Sequence, residues 1–352
     1  MEKTEKRSRD PVPDKRMSKI RYLFRCLREM DYRAMLRTVS EIHSLSGKSR
    51  IVLFFDMVYC GFRYGAGYKD YRLNEWWTLN GRQRATYVTR GINNAIIKKC
   101  NNPEDYHLLN NKIDFNRLFD DCLGRKWIYL PETDEAGFSN FLTGLDTVIA
   151  KPTDEACGRG VEKIAVSDWP SGGELYRHLR ENGQDLVEEY IVQHEAISAI
   201  YPHAVNTLRI VTLTSDDGEP HLLYAFIRIG NGGRVVDNIN AGGMAAPIDL
   251  ETGVINNVAF DKESRYYDVH PETGHPIVGV EIPMWREATE LVLAAARRIP
   301  RLRYVGWDVA VTPNGPVFVE GNQHPGHDIL QMPPHVPDKI GMLPRIKQFI
   351  SL

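Results

Sequence analysis

The most constraining stretch of this 352-residue sequence is a pair of apolar runs with acids set inside them. Gly306-Trp307-Asp308-Val309-Ala310-Val311 leads through Thr312-Pro313-Asn314-Gly315 to Val317-Phe318-Val319-Glu320-Gly321-Asn322. The β-branched and aromatic runs predict strands over Tyr304–Val311 and Pro316–Glu320, and Asn-Gly predicts the tight turn that pairs them as a hairpin. Pairing brings Asp308, Glu320 and Asn322 towards one end of a sheet, with Glu320 and Asn322, two residues apart, on one face. Charge inside an apolar run is costly unless compensated. Three converging oxygen donors suit Mg²⁺, which prefers oxygen ligands and is shared with substrate phosphates. The plainer alternative is polar residues facing solvent at a strand end.

The rest of the chain points to an α+β class. From about Asn110 strand patterns alternate with helices: Thr147–Lys151, Val161–Val166, Leu186–Ile191, Leu208–Thr214 and Leu222–Ile229 read as β, Glu174–Leu179 as helix. Ala288, Leu291, Val292, Ala295 and Ile299 recur at helical spacing, predicting a helix over Trp285–Ile299. Before Asn110 the pattern is mainly helical. Ala34–Leu45 reads as a helix closed by Gly47. Residues 48–106, with Tyr64, Tyr68, Tyr71, Trp76 and Trp77, read as helices and loops. Ile20, Leu23, Phe24, Leu27 and Met30 oppose Arg21, Arg25 and Arg28 on a basic amphipathic helix, either merely solvated or in weak contact with an acidic membrane surface. The expected organisation is a disordered leader over 1–16, a mainly helical N-terminal domain over 17–106, and two α+β subdomains over 107–192 and 193–352.

Composition narrows the function classes. With 44 basic and 46 acidic side chains there is no general case for nucleic acid as a partner. Five scattered cysteines without CxxC spacing argue against a disulfide framework or a zinc site. The first 19 residues lack an apolar core segment, and no apolar run is long enough to cross a bilayer. A cytoplasmic protein is expected.

Two further stretches look like nucleotide contacts. Lys151-Pro152-Thr153-Asp154-Glu155-Ala156-Cys157-Gly158-Arg159-Gly160-Val161 ends one strand on a lysine and starts another after a glycine loop. Backbone N–H groups there can approach phosphates, with Lys151 and Arg159 neutralising charge. The loop is neither GxxxxGK[ST] nor GxGxxG, and a simple strand-turn-strand has the same appearance. Leu186–Glu195 is a strand entering a hinge, able to offer backbone groups to an adenine edge and a carboxylate to ribose. Arg209 and Arg228 lie on β runs, facing a γ-phosphate or forming outward salt bridges. His324 and His327 follow the acidic hairpin and bind substrate, relay a proton or stand idle. Asp237, Asn240 and Gly242-Gly243 form either a substrate-side loop or an ordinary turn.

In this order the signals resemble the ATP-grasp superfamily over residues 110–332. Asn206-Thr207-Leu208-Arg209-Ile210-Val211-Thr212 and the Lys151 loop are similar to tubulin-tyrosine-ligase-like enzymes. Val236–Gly243 and Glu320-Gly321-Asn322-Gln323-His324-Pro325-Gly326 resemble the sugar-transfer-associated ATP-grasp group most. The resemblance implies two α+β subdomains clamping ATP, with Mg²⁺ on Asp308, Glu320 and Asn322. By similarity to D-alanine–D-alanine ligases, Lys112 and Lys151 are phosphate-binding lysines, and Gly158, Arg159 and Gly160 cover the phosphates. Glu188 then faces the adenine amino group, Tyr190 and Ile191 its ring edge, and Glu195 the ribose. Gly326 steadies an oxyanion, with Arg209 and Arg228 on the γ-phosphate. Gln331 falls where those ligases have a substrate-contacting serine, and Asn206, Asp237, Asn240, His324 and His327 line the substrate side. Trp307 stands near the position of their acceptor-carboxylate arginine, which argues against D-alanine. The implied reaction joins a small-molecule or peptide carboxylate to an amine through an acyl phosphate, in polysaccharide, cell-envelope or secondary-metabolite synthesis. Phosphotransfer to a sugar or polyol hydroxyl is the alternative, and a non-catalytic ATP sensor is a third reading.

Overall fold

The computed structural model of the chain describes residues 31–153, 160–327 and 329–352. The expected leader, the basic helix before Met30, and Gly158 and Arg159 lie outside them. Contacts divide the chain into residues 1–59 and 60–352.

In the first unit, the helix Tyr32–Ser46 starts where Asp31 accepts a hydrogen bond from the Ala34 amide, and it buries Met35, Val39 and Ile42. It ends at Gly47, whose left-handed φ of 69° lets its N–H reach the His43 carbonyl, as the sequence predicts for a glycine cap. The helix Arg50–Tyr64 follows.

The second unit carries two sheets. Strands β1 (Trp127–Tyr129), β2 (Thr147–Lys151), β3 (Glu162–Ala165) and β4 (Leu186–Glu189) form an antiparallel sheet in the order β1-β4-β2-β3. One face buries Val148, Ala150, Ile164 and Val187 with Phe138 of the helix Glu135–Phe141 and Leu175 and Leu179 of the helix Gly172–Glu181. Strands β5 (Leu208–Thr214), β6 (Pro220–Ile229), β7 (Met244–Ile248), β8 (Ala259–Phe260), β9 (Tyr266–Tyr267), β10 (Tyr304–Thr312) and β11 (Gly315–Asn322) form the second, ordered β11-β10-β5-β6-β7-β8-β9. The expected hairpin is β10–β11, with Thr312 opposite Gly315.

Pleating gives the larger sheet two faces with different tasks. One buries Trp307, Val309, Val311, Leu208, Ile210, Ile227 and Phe318 against the helix Trp285–Arg298. Trp307 stacks on Phe318 at 5.1 Å between ring centroids and donates its indole N–H to Thr212 Oγ1 at 2.9 Å. The other face holds Tyr304, Val211, Leu213, Tyr224 and Phe226 against Ile96 and Ile97 of the helix Arg90–Cys100 and Leu343 and Ile346 of the helix Leu343–Phe349. Beyond that apolar patch the same face becomes charged.

Candidate active site

Register places the charged side chains. Glu320 is the cross-strand partner of Asp308, Asp308 of Arg209, and Arg209 of Phe226, so one rung across four strands carries Glu320, Asp308 and Arg209 on one face. Arg228, two residues beyond Phe226, shares that face. The next rung runs Asn322, Gly306, Val211 and Tyr224.

Two glycines make this possible. A Cβ on Gly306 would sit 3.1 Å from Arg209 Cδ and 3.2 Å from its Nη1, so the missing side chain is the room the guanidinium occupies. Gly306, rather than the core-facing Trp307, is therefore the residue of that segment on the charged face. Gly321 points the opposite way, where a Cβ would meet Leu109 at 2.7 Å and Phe115 at 3.0 Å. The Glu-Gly-Asn order thus presents two polar side chains on one face and lets the helices His107–Asn110 and Lys112–Leu118 lie close on the other.

Asp308 is fully buried and shared by two guanidiniums. Arg209 Nε donates to its Oδ1, Arg209 Nη2 to Oδ2 at 3.0 Å, and Arg228 Nη2 to Oδ2 at 2.6 Å. Burial opposes its charge, but Arg209 and Arg228 outweigh that and hold its carboxyl below the ordinary range. Glu320 goes the other way: burial, then the neighbouring Asp308, pushes its carboxyl up. Asn322 Nδ2 donates to Glu320 Oε1 at 3.3 Å. Burial works against Arg228's charge as well, yet Asp237, Asp308 and Glu320 together raise its pKa.

Lys151 and Glu188 meet on the smaller sheet, Nζ to Oε2 at 2.7 Å. Glu188 also accepts from Asn116 Nδ2 at 2.8 Å and from both Nε and Nη2 of Arg125 at 3.1 Å. Burial disfavours its charge, but Arg125 and Lys151 hold its carboxyl far below the usual range. Arg125 Nη1 also donates to the Phe318 carbonyl at 2.6 Å, joining β4 to β11. Sequence reading missed Arg125 and Asn116, which lie in no motif. Lys112 Nζ donates to the carbonyls of Pro152 and Thr153 at 3.1 and 3.2 Å, next to the glycine loop. Gly160, at φ 67°, closes that loop.

The remaining candidates scatter in role. Tyr190 lies under Lys163 Nζ, 3.9 Å from the ring centroid, and its N–H bonds to the Thr147 carbonyl. Ile191 follows it in the irregular segment after β4, and Glu195 opens the short helix Glu195–Ser198 on the surface. Three residues expected to meet substrate also hold buried backbone groups, and Asp237 lies 3.4 Å from Arg228 Nε as well. Asn206 Nδ2 donates to the Tyr201 carbonyl at 2.7 Å while its Oδ1 accepts from Gly230 N–H. Asp237 Oδ2 accepts from the Thr207 amide at 2.9 Å and its hydroxyl at 2.5 Å. Gln331 is fully buried, bonding the N–H and C=O of Val88 and the Met342 amide. In each case buried backbone groups needed partners. Asn240 lies in the turn Ile239–Ala241. His324 packs edge-on against Tyr106, and burial pushes its pKa down. The Gly326 carbonyl accepts from the Tyr224 hydroxyl, and His327 Nε2 faces Asp70.

Asp308, Glu320 and Asn322 fit a hard divalent cation. Among the described residues no three His, Cys, Asp or Glu side chains form a metal group. A cation here would rest on two carboxylates and an amide oxygen, a set suited to magnesium completed by phosphate and water. Glu320, crowded by burial and by Asp308, is the carboxylate that such a charge would relieve.

A family model described as sugar-transfer associated ATP-grasp matches residues 91–349. Solved structures similar to the chain include the ATP-grasp ligase PsnB with a precursor peptide and AMPPNP (14% identity, 64% of this chain and 54% of that one, TM-score 0.37). The ADP complex of N5-carboxyaminoimidazole ribonucleotide synthetase is 10% identical over 62% and 46%, with a TM-score of 0.39. D-alanine–D-alanine ligase from Bacillus anthracis is 16% identical over 77% of each chain, with a TM-score of 0.42. The chain spans about half the length of the first two. No curated protein matches it.

Proposed function

The chain belongs to the sugar-transfer associated ATP-grasp family, and from that premise we propose that it is an ATP- and Mg²⁺-dependent ligase joining a carboxylate to an amine. The observation that carries this reading is the rung Glu320–Asp308–Arg209, with Arg228 on the same face. It supports the reading because carboxylates able to hold a divalent cation stand beside two guanidiniums able to meet phosphate.

ATP is a substrate here. Lys112 and Lys151 hold its phosphates by charge-assisted bonds, and the hinge after β4 offers backbone groups to adenine. Asp308, Glu320 and Asn322 would hold Mg²⁺, which neutralises phosphate charge when bound. Arg209 and Arg228 orient the γ-phosphoryl group. A carboxylate oxygen bonds to the γ-phosphorus as the bond to ADP breaks, giving an acyl phosphate. Attack by an amine nitrogen on the acyl carbon then releases phosphate, and the Gly326 N–H steadies the oxyanion. The substrate class is a small-molecule or peptide carboxylate, in the synthesis of polysaccharide, cell envelope or a secondary metabolite.

The test supplies ATP, Mg²⁺ and a panel of amino acids and uronic acids labelled with ¹⁸O in the carboxylate. One label should pass to free phosphate, with ADP as coproduct. Phosphate retained on a hydroxyl of the product would replace the ligase with a kinase acting on a sugar or polyol. Absence of turnover with every partner would favour an ATP sensor.

A further inference from the structure

Asp70 and His327 lie 257 positions apart, yet His327 Nε2 stands 3.1 Å from Asp70 Oδ1. Asp70, in the first turn of the helix Tyr68–Leu73, is 5% exposed. Its Oδ2 accepts from the Gly67 amide at 2.9 Å and the Arg90 amide at 3.2 Å. Those bonds fix the carboxylate and leave Oδ1 for the imidazole. An ionised carboxylate can only accept, so in the neutral ring Nε2 carries the proton and Nδ1 keeps its lone pair.

The segment bearing His327 is pinned beside the charged rung. The carbonyls of Gln323, Pro325, Gly326 and His327 accept from Asn101, Asn93, the Tyr224 hydroxyl and Gln331. Pro325 Cβ lies 3.6 Å from where a Cβ on Gly306 would stand. Gly306 and Tyr224 are both on the rung next to Asp308 and Arg209, so the segment crosses that face. The His327 side chain stays 14% exposed.

We propose that His327, held in this tautomer by Asp70, is the base that deprotonates the acceptor amine; this rests on the ligase reading above. As the amine nitrogen bonds to the acyl carbon, an N–H proton passes to Nδ1. The carbon–oxygen bond to phosphate breaks, and phosphate leaves with the electron pair. Asp70 touches no substrate and is a positioning residue.

Asp70→Asn tests the pair. The amide keeps an oxygen for Gly67 and Arg90 but turns an N–H towards Nε2, driving the ring proton to Nδ1. The probes are the common L- and D-amino acids, offered as both carboxylate and amine, with ATP and Mg²⁺. The kcat for amide formation should fall about 10²–10⁴-fold with the KM for ATP unchanged. ¹⁵N NMR of the ring should report the switched tautomer. His327→Gln should lose as much, and the double variant no more. Hydroxylamine, neutral near pH 7 and in no need of a base to attack, should form hydroxamate in both variants within about threefold of the parent rate. Equal losses with both acceptors, an unchanged tautomer, or unchanged amide formation would overturn the base assignment alone. A parent that makes no hydroxamate with any carboxylate would overturn the ligase reading and this proposal with it.

Discussion

Asp308 and Glu320 are direct partners across the β10–β11 pairing, and their carboxyls are displaced in opposite directions. The difference lies in their neighbours. Two arginines meet Asp308, while Glu320 feels burial and the charge on Asp308. One rung thus has one carboxylate whose charge is favoured by two guanidiniums and one whose charge is opposed by its surroundings.

Glu320→Gln should separate these roles. A raised acid contributes stability that is complete below its ordinary pKa and is lost as pH rises through the raised value. The variant should therefore melt about 1–3 °C above the parent at pH 8 without Mg²⁺, with the gap closing towards pH 4. Mg²⁺ should raise the parent's Tm and not the variant's, and ATP turnover should disappear. A parent whose melting ignores both pH and Mg²⁺ would refute the metal assignment.

Glu188→Gln should act on the acid side. A depressed carboxyl stabilises above its ordinary pKa, and that contribution is lost as pH falls through the depressed value. Removing it leaves Arg125 and Lys151 buried without their shared charge, a loss of about 3 kcal/mol at pH 7. Urea titrations should show the difference shrinking below pH 4; a difference constant with pH would contradict the ion-pair account.

Lys151→Ala should weaken binding of a non-hydrolysable ATP analogue by about 10- to 100-fold, the worth of one charge-assisted contact. Calorimetry decides, and unchanged affinity would mean that Lys151 does not meet phosphate.

Gly321→Ala and Gly306→Ala should fail in different ways. The first drives a methyl into Leu109 and Phe115 and should cost about 1–3 kcal/mol of stability. The second crowds Arg209, whose guanidinium is held by the buried Asp308, so ATP turnover should fall with a smaller loss of stability than the first. The same loss of stability in both would contradict the two-faced account of the strands.

The hairpin from Tyr304 to Asn322 was legible because period-two patterning, an Asn-Gly turn and misplaced acids all lie within one local stretch. Gly47 as a cap and Trp285–Arg298 as a helix were legible for the same reason. The Asp70–His327 contact was not, since its two halves lie in different parts of the chain and neither carries a motif. The backbone bonds of Asn206, Asp237 and Gln331 were not legible, because a polar side chain near a site reads the same whether it meets substrate or holds backbone. Only the fold says which amides and carbonyls lack partners.

Arg125 has a mechanical consequence. A single guanidinium grips Glu188 of β4 and the Phe318 carbonyl of β11, two residues from Glu320. Any hinge-like swing of the smaller sheet must either tug on the strand bearing Glu320 or let go of it. The proposed adenine end and the proposed metal end are therefore joined as by a tie-rod. Cutting it, as in Arg125→Met, should let nucleotide and Mg²⁺ bind without regard for each other.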